Sequence, residues 1–247
     1  MSHTQLALVE ILAVAASFSQ SVSGFGFNLL IVPPLALVIG AKQAVVTATL
    51  MGLITSALTL SNARASVSWG LGALLFVTAA AGMPVGILVL ILVEPGMLSA
   101  LIAVTVLVAA LSYWKGYRVA TKSPLVDAGA GFLSGLLSTS TSMSGPPLVL
   151  YLQNRGVVAD QFRGTINAFF LASGALASLL FAVGGRIGSA ELMVVFVASP
   201  LILAGWAAGH LAFRRLDVAR AQHVVIFVLI ISASLSIAGA LGNRTFS

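Results

Sequence analysis

Apolar stretches recur along the chain at about 5–22, 26–40, 43–61, 68–92, 96–114, 124–140, 145–154, 162–184, 189–212 and 222–242, separated by short polar or charged turns. A helix needs about 20 mostly apolar residues to cross the hydrocarbon core of a bilayer. Three stretches are conspicuously short: 26–40, 124–140 and 145–154. A helix of about ten residues rises only ~15 Å, half the hydrocarbon thickness. The short stretches flank a motif that occurs twice, Ser21-Val22-Ser23-Gly24-Phe25-Gly26-Phe27-Asn28 with Pro33-Pro34 behind it, and Ser140-Thr141-Ser142-Met143-Ser144-Gly145-Pro146-Pro147. Both copies put helix breakers and hydroxyls inside apolar surroundings. Backbone groups freed in hydrocarbon cost several kcal/mol each unless protein or trapped water satisfies them, so each break is expected to be buried and to line something. Discontinuous helices at matching places in two halves of a membrane protein point to a transporter's binding site.

Composition supports a polytopic all-α membrane protein. The 247 residues are 59% hydrophobic and 7% charged, against about 25% charged in a soluble domain. The net charge of +6 rests on twelve Lys and Arg that sit at segment ends and in short loops, which reads as a topology signal and not as a nucleic-acid surface. No cysteine occurs, and His3, His210 and His223 are scattered, so neither a metal site nor a cofactor is expected. The first stretch has no basic start and carries Glu10, an unfavourable pattern for a cleaved signal.

The charges discriminate between two topologies. If each motif lies within one continuous span, Arg64, Lys115, Arg118, Lys122, Arg186 and Arg244 fall on one side and Lys42, Arg155, Arg163, Arg214, Arg215 and Arg220 on the other, with no bias. If each motif is instead the tip of a hairpin that returns the chain to its starting side, only Lys42, Arg186 and Arg244 oppose the other nine. Cytoplasmic loops carry the excess of Lys and Arg. The hairpin arrangement therefore predicts both termini outside and two inverted repeats, 1–118 and 119–247, each a broken-helix hairpin plus three transmembrane helices. Aligning Ser23-Gly24 on Ser144-Gly145 with a three-residue gap sets Gln43, Thr47 and Thr49 against Gln161, Thr165 and Asn167.

At Gly131-Phe132-Leu133-Ser134-Gly135-Leu136-Leu137-Ser138, then Ser144-Gly145-Pro146-Pro147-Leu148-Val149-Leu150-Tyr151, and at Ser23-Gly24-Phe25-Gly26 with its prolines, the sequence resembles the TauE/SafE family over essentially the whole chain. That resemblance implies a multi-pass carrier of the cell inner (plasma) membrane, moving small sulfur-containing or organic anions such as sulfite, sulfonates or sulfoacetate. The chain departs from the glycine-rich form of many members at Ser138-Thr139-Ser140-Thr141-Ser142.

A helix N-terminus carries about half a positive charge and several unpaired N–H groups, so two such ends facing each other would hold an anion without a buried cation. Ser21, Ser23, Asn28, Ser140, Thr141, Ser142 and Ser144 would add donors. Gly24, Gly26 and Gly145 would admit an oxyanion to the backbone, with Phe25 and Pro146 beside them. Arg163 would hold the anion by its fork of donors or else anchor the cytoplasmic end beside Asp160, and Gln43 and Asn167 are further polar candidates. Glu10 and Asp127, at comparable early positions in their halves, are the candidate proton relay or else interfacial residues. The alternatives are proton-coupled anion uptake, an intramembrane serine hydrolase built on Ser23-Gly24 or Ser144-Gly145, which would need a base in reach, and a structural subunit with no flux of its own. The expected partners are a small anion and the lipid bilayer.

Overall fold

The computed structural model describes residues 3–115 and 123–213. The stretch expected at 222–242 and the residues Arg118, Lys122, Arg214, Arg215, Asp217, Arg220, His223 and Arg244 lie outside the described residues. Within them the chain is all helical: α1 (His3–Ser23), α2 (Phe27–Ile39), α3 (Ala41–Ala63), a 3₁₀ turn (Arg64–Ser66), α4 (Trp69–Leu92), α5 (Pro95–Lys115), α6 (Pro124–Ser140), α7 (Gly145–Asn154), α8 (Ala159–Val183) and α9 (Ser189–Phe213). The elements follow the apolar stretches, including the short ones: α2 has 13 residues, α6 has 17 and α7 has 10. Four helical stretches, Ala41–Ser66, Trp69–Leu92, Ala159–Val183 and Ser189–Phe213, are long and apolar enough to cross a membrane.

Polarity is distributed inside out relative to a soluble protein. Leu74, Val77, Leu88 and Leu92 on α4, and Leu192, Met193, Phe196 and Leu203 on α9, are exposed, while Gln20, Thr47, Thr49, Thr55, Ser56, Ser138, Asn167 and Ser173 are buried. This is the pattern expected where the solvent is hydrocarbon and polar groups find partners only in the interior. α3 is the central helix, with Ala44 to Thr49 buried in an unbroken run.

The close helix pairs fix relative directions. On α1 and α9, Val14 and Ser17 meet Gly205 while Phe18 and Ser21 meet Gly209, so the two run parallel. On α4 and α6, Leu75 and Thr78 meet Gly131, Ala79 meets Gly135 and Leu136 meets Gly86, again parallel. On α3 and α8 the order reverses: Ala63 lies beside Gly164 and Leu53 beside Gly174. If every other connection reverses the chain, a helix continuing through either break would make α3 parallel to α8 or α1 antiparallel to α9. Only reversal at both breaks reproduces the three observed directions, which places the 3₁₀ turn on the same side as the start of α8.

Small residues make the contact of α4 with α6 possible. A Cβ at Gly135 would lie 1.9 Å from the carbonyl oxygen of Ala79, and one at Gly82 would lie 2.1 Å from that of Phe132. Backbones this close are the usual basis of helix association in lipid, where there is no hydrophobic drive between helices.

Two predictions follow from the packing. Gly135→Ala forces α4 and α6 apart and should destabilise the detergent-solubilised protein by about 1–3 kcal/mol, the usual cost of overpacking. Gly129→Ala, with open space around it, should be neutral or slightly stabilising, and thermal unfolding of the two variants compares them directly. Because the chain has no cysteine, single cysteines report sidedness without background. Ala65→Cys and Val158→Cys should react with an impermeant thiol reagent from one side of the membrane, and Glu94→Cys and Arg186→Cys from the other. Labelling of Ala65→Cys and Val158→Cys from opposite sides would restore the continuous-span topology.

Candidate functional site

Each break satisfies part of its own backbone internally. At the first, Gly24 and Gly26 take φ of 87° and 103°, values open to glycine without steric cost. Gly24 N donates to the Gln20 carbonyl at 2.8 Å, and Ser23 Oγ lies 2.8 Å from the carbonyls of both Ser19 and Phe25. At the second, the left-handed position is held by Ser142, with φ of 62°, while Thr141 N and Met143 N both donate to the Leu137 carbonyl. A side chain in this conformation costs roughly 1–2 kcal/mol relative to glycine.

The Ser142 side chain explains its presence, because it ties the two breaks together. Asn28 Nδ2, in the first turn of α2, donates to the Ser142 carbonyl at 2.8 Å and to Ser142 Oγ at 3.0 Å. Thr49 on α3 shares a 2.8 Å hydroxyl bond with the same Oγ. From the other half, Asn167 on α8 donates through Nδ2 to the Gly24 carbonyl at 2.8 Å. Gln20 Nε2 bridges Asn167 Oδ1 and Ser56 Oγ, each at 3.0 Å. Thr49 and Asn167, opposite each other in the internal alignment, thus each hold the break of the other half.

Between the breaks lies a cavity of about 40 Å³. A water needs roughly 10–15 Å³ on this measure, so the space suits about three waters or one compact oxyanion. Its walls include Gly26, Phe27, Asn28 and Leu29 at the start of α2 and Ser142, Met143, Ser144 and Gly145 at the start of α7. Gln20, Thr49, Ser56, Ser138 and Ser173 add polar groups, and Leu53 and Phe170 an apolar wall. No charged side chain lines it. The start of α2 can offer N–H donors, whereas Pro146 and Pro147 in the first turn of α7 have none. On that side the donors are the Gly145 amide and the neighbouring hydroxyls. Gly52 leaves room for Asn28, since a Cβ there would lie 3.0 Å from Asn28 Oδ1.

Of the residues expected at the site, Gly26, Asn28, Ser142, Ser144 and Gly145 come together on the cavity wall, and Gly24 and Asn167 stand directly behind it. Others are placed elsewhere. Ser21 donates to the Trp206 carbonyl on α9 at 2.9 Å. Ser140 and Thr141 donate to the carbonyls one turn back, at 2.8 and 3.0 Å, and Ser23 closes its own turn. Phe25 packs edge-on against Phe162, with centroids 6.3 Å apart. Pro146 is buried in the first turn of α7, and Gln43 is exposed at the start of α3. Glu10 is half-buried on α1. Asp127 is ion-paired with Arg155, which joins the start of α6 to the end of α7 and closes the base of the second hairpin. Arg163 is buried but does not line the cavity.

The polar wall residues that the two motifs do not contain are Gln20, Thr49, Ser56, Ser138 and Ser173. Their signal in the sequence is a stripe of small or polar positions at helical spacing, Thr49, Gly52 and Ser56 on α3, with Ser173 and Gly174 on α8.

The chain matches the Sulfite exporter TauE/SafE family over residues 10–235. It belongs to that family. Among curated relatives it is similar to the probable sulfite/organosulfonate exporter TauE of Cupriavidus necator, with 25% identity over 239 residues covering 92% of each chain. No solved structure matches it. The TauE/SafE chains are membrane transporters, and in this member the family match spans both breaks and the helices that clamp them.

The role of Ser142 can be separated from its backbone strain. Ser142→Ala keeps the left-handed residue and loses the hydroxyl bonds to Asn28 and Thr49 while keeping the Asn28 bond to the backbone carbonyl, whereas Ser142→Gly loses the same hydroxyl bonds and relieves the strain. Ser142→Ala should therefore unfold at lower temperature than Ser142→Gly, by an amount worth about 1–2 kcal/mol. Equal stability of the two would mean that the position is not strained.

Proposed function

We propose that this protein moves a small sulfur-containing oxyanion, sulfite or a short organic sulfonate, outward across the cell membrane by alternating access. The single observation that carries this is the cavity between the breaks, walled by the starts of α2 and α7 and by uncharged donors. Helix starts replace part of an anion's hydration shell without a buried cation, and N-terminal dipoles repel cations. The size of the cavity excludes nucleotides. Phe27, Leu29, Leu53, Met143 and Phe170 give a short carbon tail somewhere to lie, in keeping with the organosulfonates in the name of the Cupriavidus relative.

The reading of inverted repeats supports alternating access. α1 pairs with α9 as α6 pairs with α4, both parallel, and α3 crosses α8 antiparallel, which is what a two-fold axis in the membrane plane would produce. Rocking one half against the other about such an axis exposes a central site alternately to the two sides. Nothing in the cavity wall is charged, so the cycle carries the charge of the anion itself. An inside-negative potential then assists exit by ~2.3 kcal/mol per charge per 100 mV.

Purified protein in vesicles loaded with sulfite should release it faster under an inside-negative potassium-diffusion potential. Ser144→Val and Asn28→Leu should slow release by about tenfold or more, the loss expected for one hydrogen bond to a charged group. Glu10→Gln and Asp127→Asn should leave it largely intact. Flux abolished by the carboxylate variants and untouched by Ser144→Val would replace dipole capture by proton coupling, and a carrier that moved only cations would overturn the assignment.

A further inference from the structure

Among the described residues Arg163 is the buried cation that the cavity does not use. It is 6% exposed, and its Nε and Nη2 are buried without hydrogen-bond partners among the described residues. No carboxylate of the described residues lies within ion-pair distance of it, the recorded pair being Arg155 with Asp127; Asp160, one turn earlier on α8, is exposed. Its stem packs on the first break, where a Cβ on Gly24 would lie 3.2 Å from Arg163 Cγ. Its guanidinium sits 4.1 Å from the centroid of the Phe213 ring. A guanidinium in a membrane interior is costly and ordinarily marks an ion path or has a partner.

A short series of hydrogen bonds links the cavity wall to Arg163. Gln20 and Ser56 are on the cavity wall; Gln20 donates to Asn167 Oδ1; Asn167 Nδ2 donates to the Gly24 carbonyl and, at 2.9 Å, to the Arg163 carbonyl. Two amides and the tip of the first break therefore join the cavity wall to the backbone of Arg163, near the start of α8. The other half has no equivalent. The alignment that sets Gln43, Thr47 and Thr49 against Gln161, Thr165 and Asn167 puts Val45 opposite Arg163, and Val45 is fully buried and apolar.

Building on the transport reading, we propose that Arg163 is a second anion station, on the Ala159 side of the first break, and that it makes the two faces of the carrier unequal. A small oxyanion entering from that side meets a fork of unpaired donors before the Gln20–Asn167 pair opens to the cavity. An anion approaching from the Arg186 side reaches the cavity past an apolar counterpart. The charge thus raises apparent affinity on one face only.

The test compares right-side-out and inside-out membrane vesicles containing the full chain, with initial rates measured against the concentration of labelled sulfite. Arg163→Met keeps the stem against Gly24 and Phe213 and removes charge and donors. It should raise the half-saturating concentration for sulfite presented on the Ala159 side by about tenfold or more, the loss of one charge-assisted contact, and leave the other side within about twofold. Arg163→Lys, which keeps the charge but not the fork, should show a smaller rise on the same side. It decides the question alone if the methionine variant fails to assemble. Ser144→Val should weaken both sides, marking the central cavity. Unchanged saturation in the Arg163 variants, or equal changes on the two sides, would overturn the station while leaving the cavity reading in place. Wild-type vesicles that move no small anion from either side would overturn both.

Discussion

An interrupted helix inside a bilayer must satisfy its own backbone, and the rest of this architecture depends on how that is done at residues 24–26 and 141–144. Ser23 and the positive-φ glycines close the first interruption, and Leu137 receives two amides at the second. Two further carbonyls, those of Gly24 and Ser142, are taken by Asn167 and Asn28. Those bonds cross between the halves, so satisfying the breaks also assembles the protein. A buried carbonyl left unpaired costs roughly 1–3 kcal/mol, a strong incentive for both halves to stay in register.

The same arrangement leaves a cavity where the two short helices begin. A helix cannot satisfy its first N–H groups itself, and in this fold two helix starts converge on one space walled by Asn28, Ser142, Ser144 and Gly145. What closes the breaks structurally is thereby adjacent to what is proposed to hold the anion. The flanking glycines, at Gly52 on α3 and Gly174 on α8, keep side chains of the central helices from filling that space.

Much of the fold was legible in the sequence. The short stretches became α2, α6 and α7, because Gly24 and Gly26 take positive φ and Pro146-Pro147 lack the amides needed to prolong α6, so they start a new helix instead. The meeting of the two motifs followed from the need to bury both breaks. Which hydroxyls face the cavity was not legible. Ser21, Ser140 and Thr141 looked equivalent to Ser142 and Ser144 in the motif, yet each spends its hydroxyl on a backbone carbonyl, a local bond available to any Ser or Thr on a helix. Gln20 and Thr49 carry no cavity signal of their own in the sequence, because Gln20 stands among serines and Thr49 beside Thr47, and small polar residues on an apolar helix resemble packing until a partner far along the chain is known. Gln43 lies at an exposed helix start because the chain turns at Gly40, only three residues earlier.

The central claim, that a small oxyanion binds between the two breaks, is tested most directly by diffraction from crystals grown with selenite, the heavier analogue of sulfite, with anomalous scattering locating the selenium. A peak between the starts of α2 and α7, with oxygens about 3 Å from Ser144 Oγ and the first amides of α2, is the predicted result. Anomalous density confined to the protein surface, with the cavity empty at saturating selenite, would contradict it.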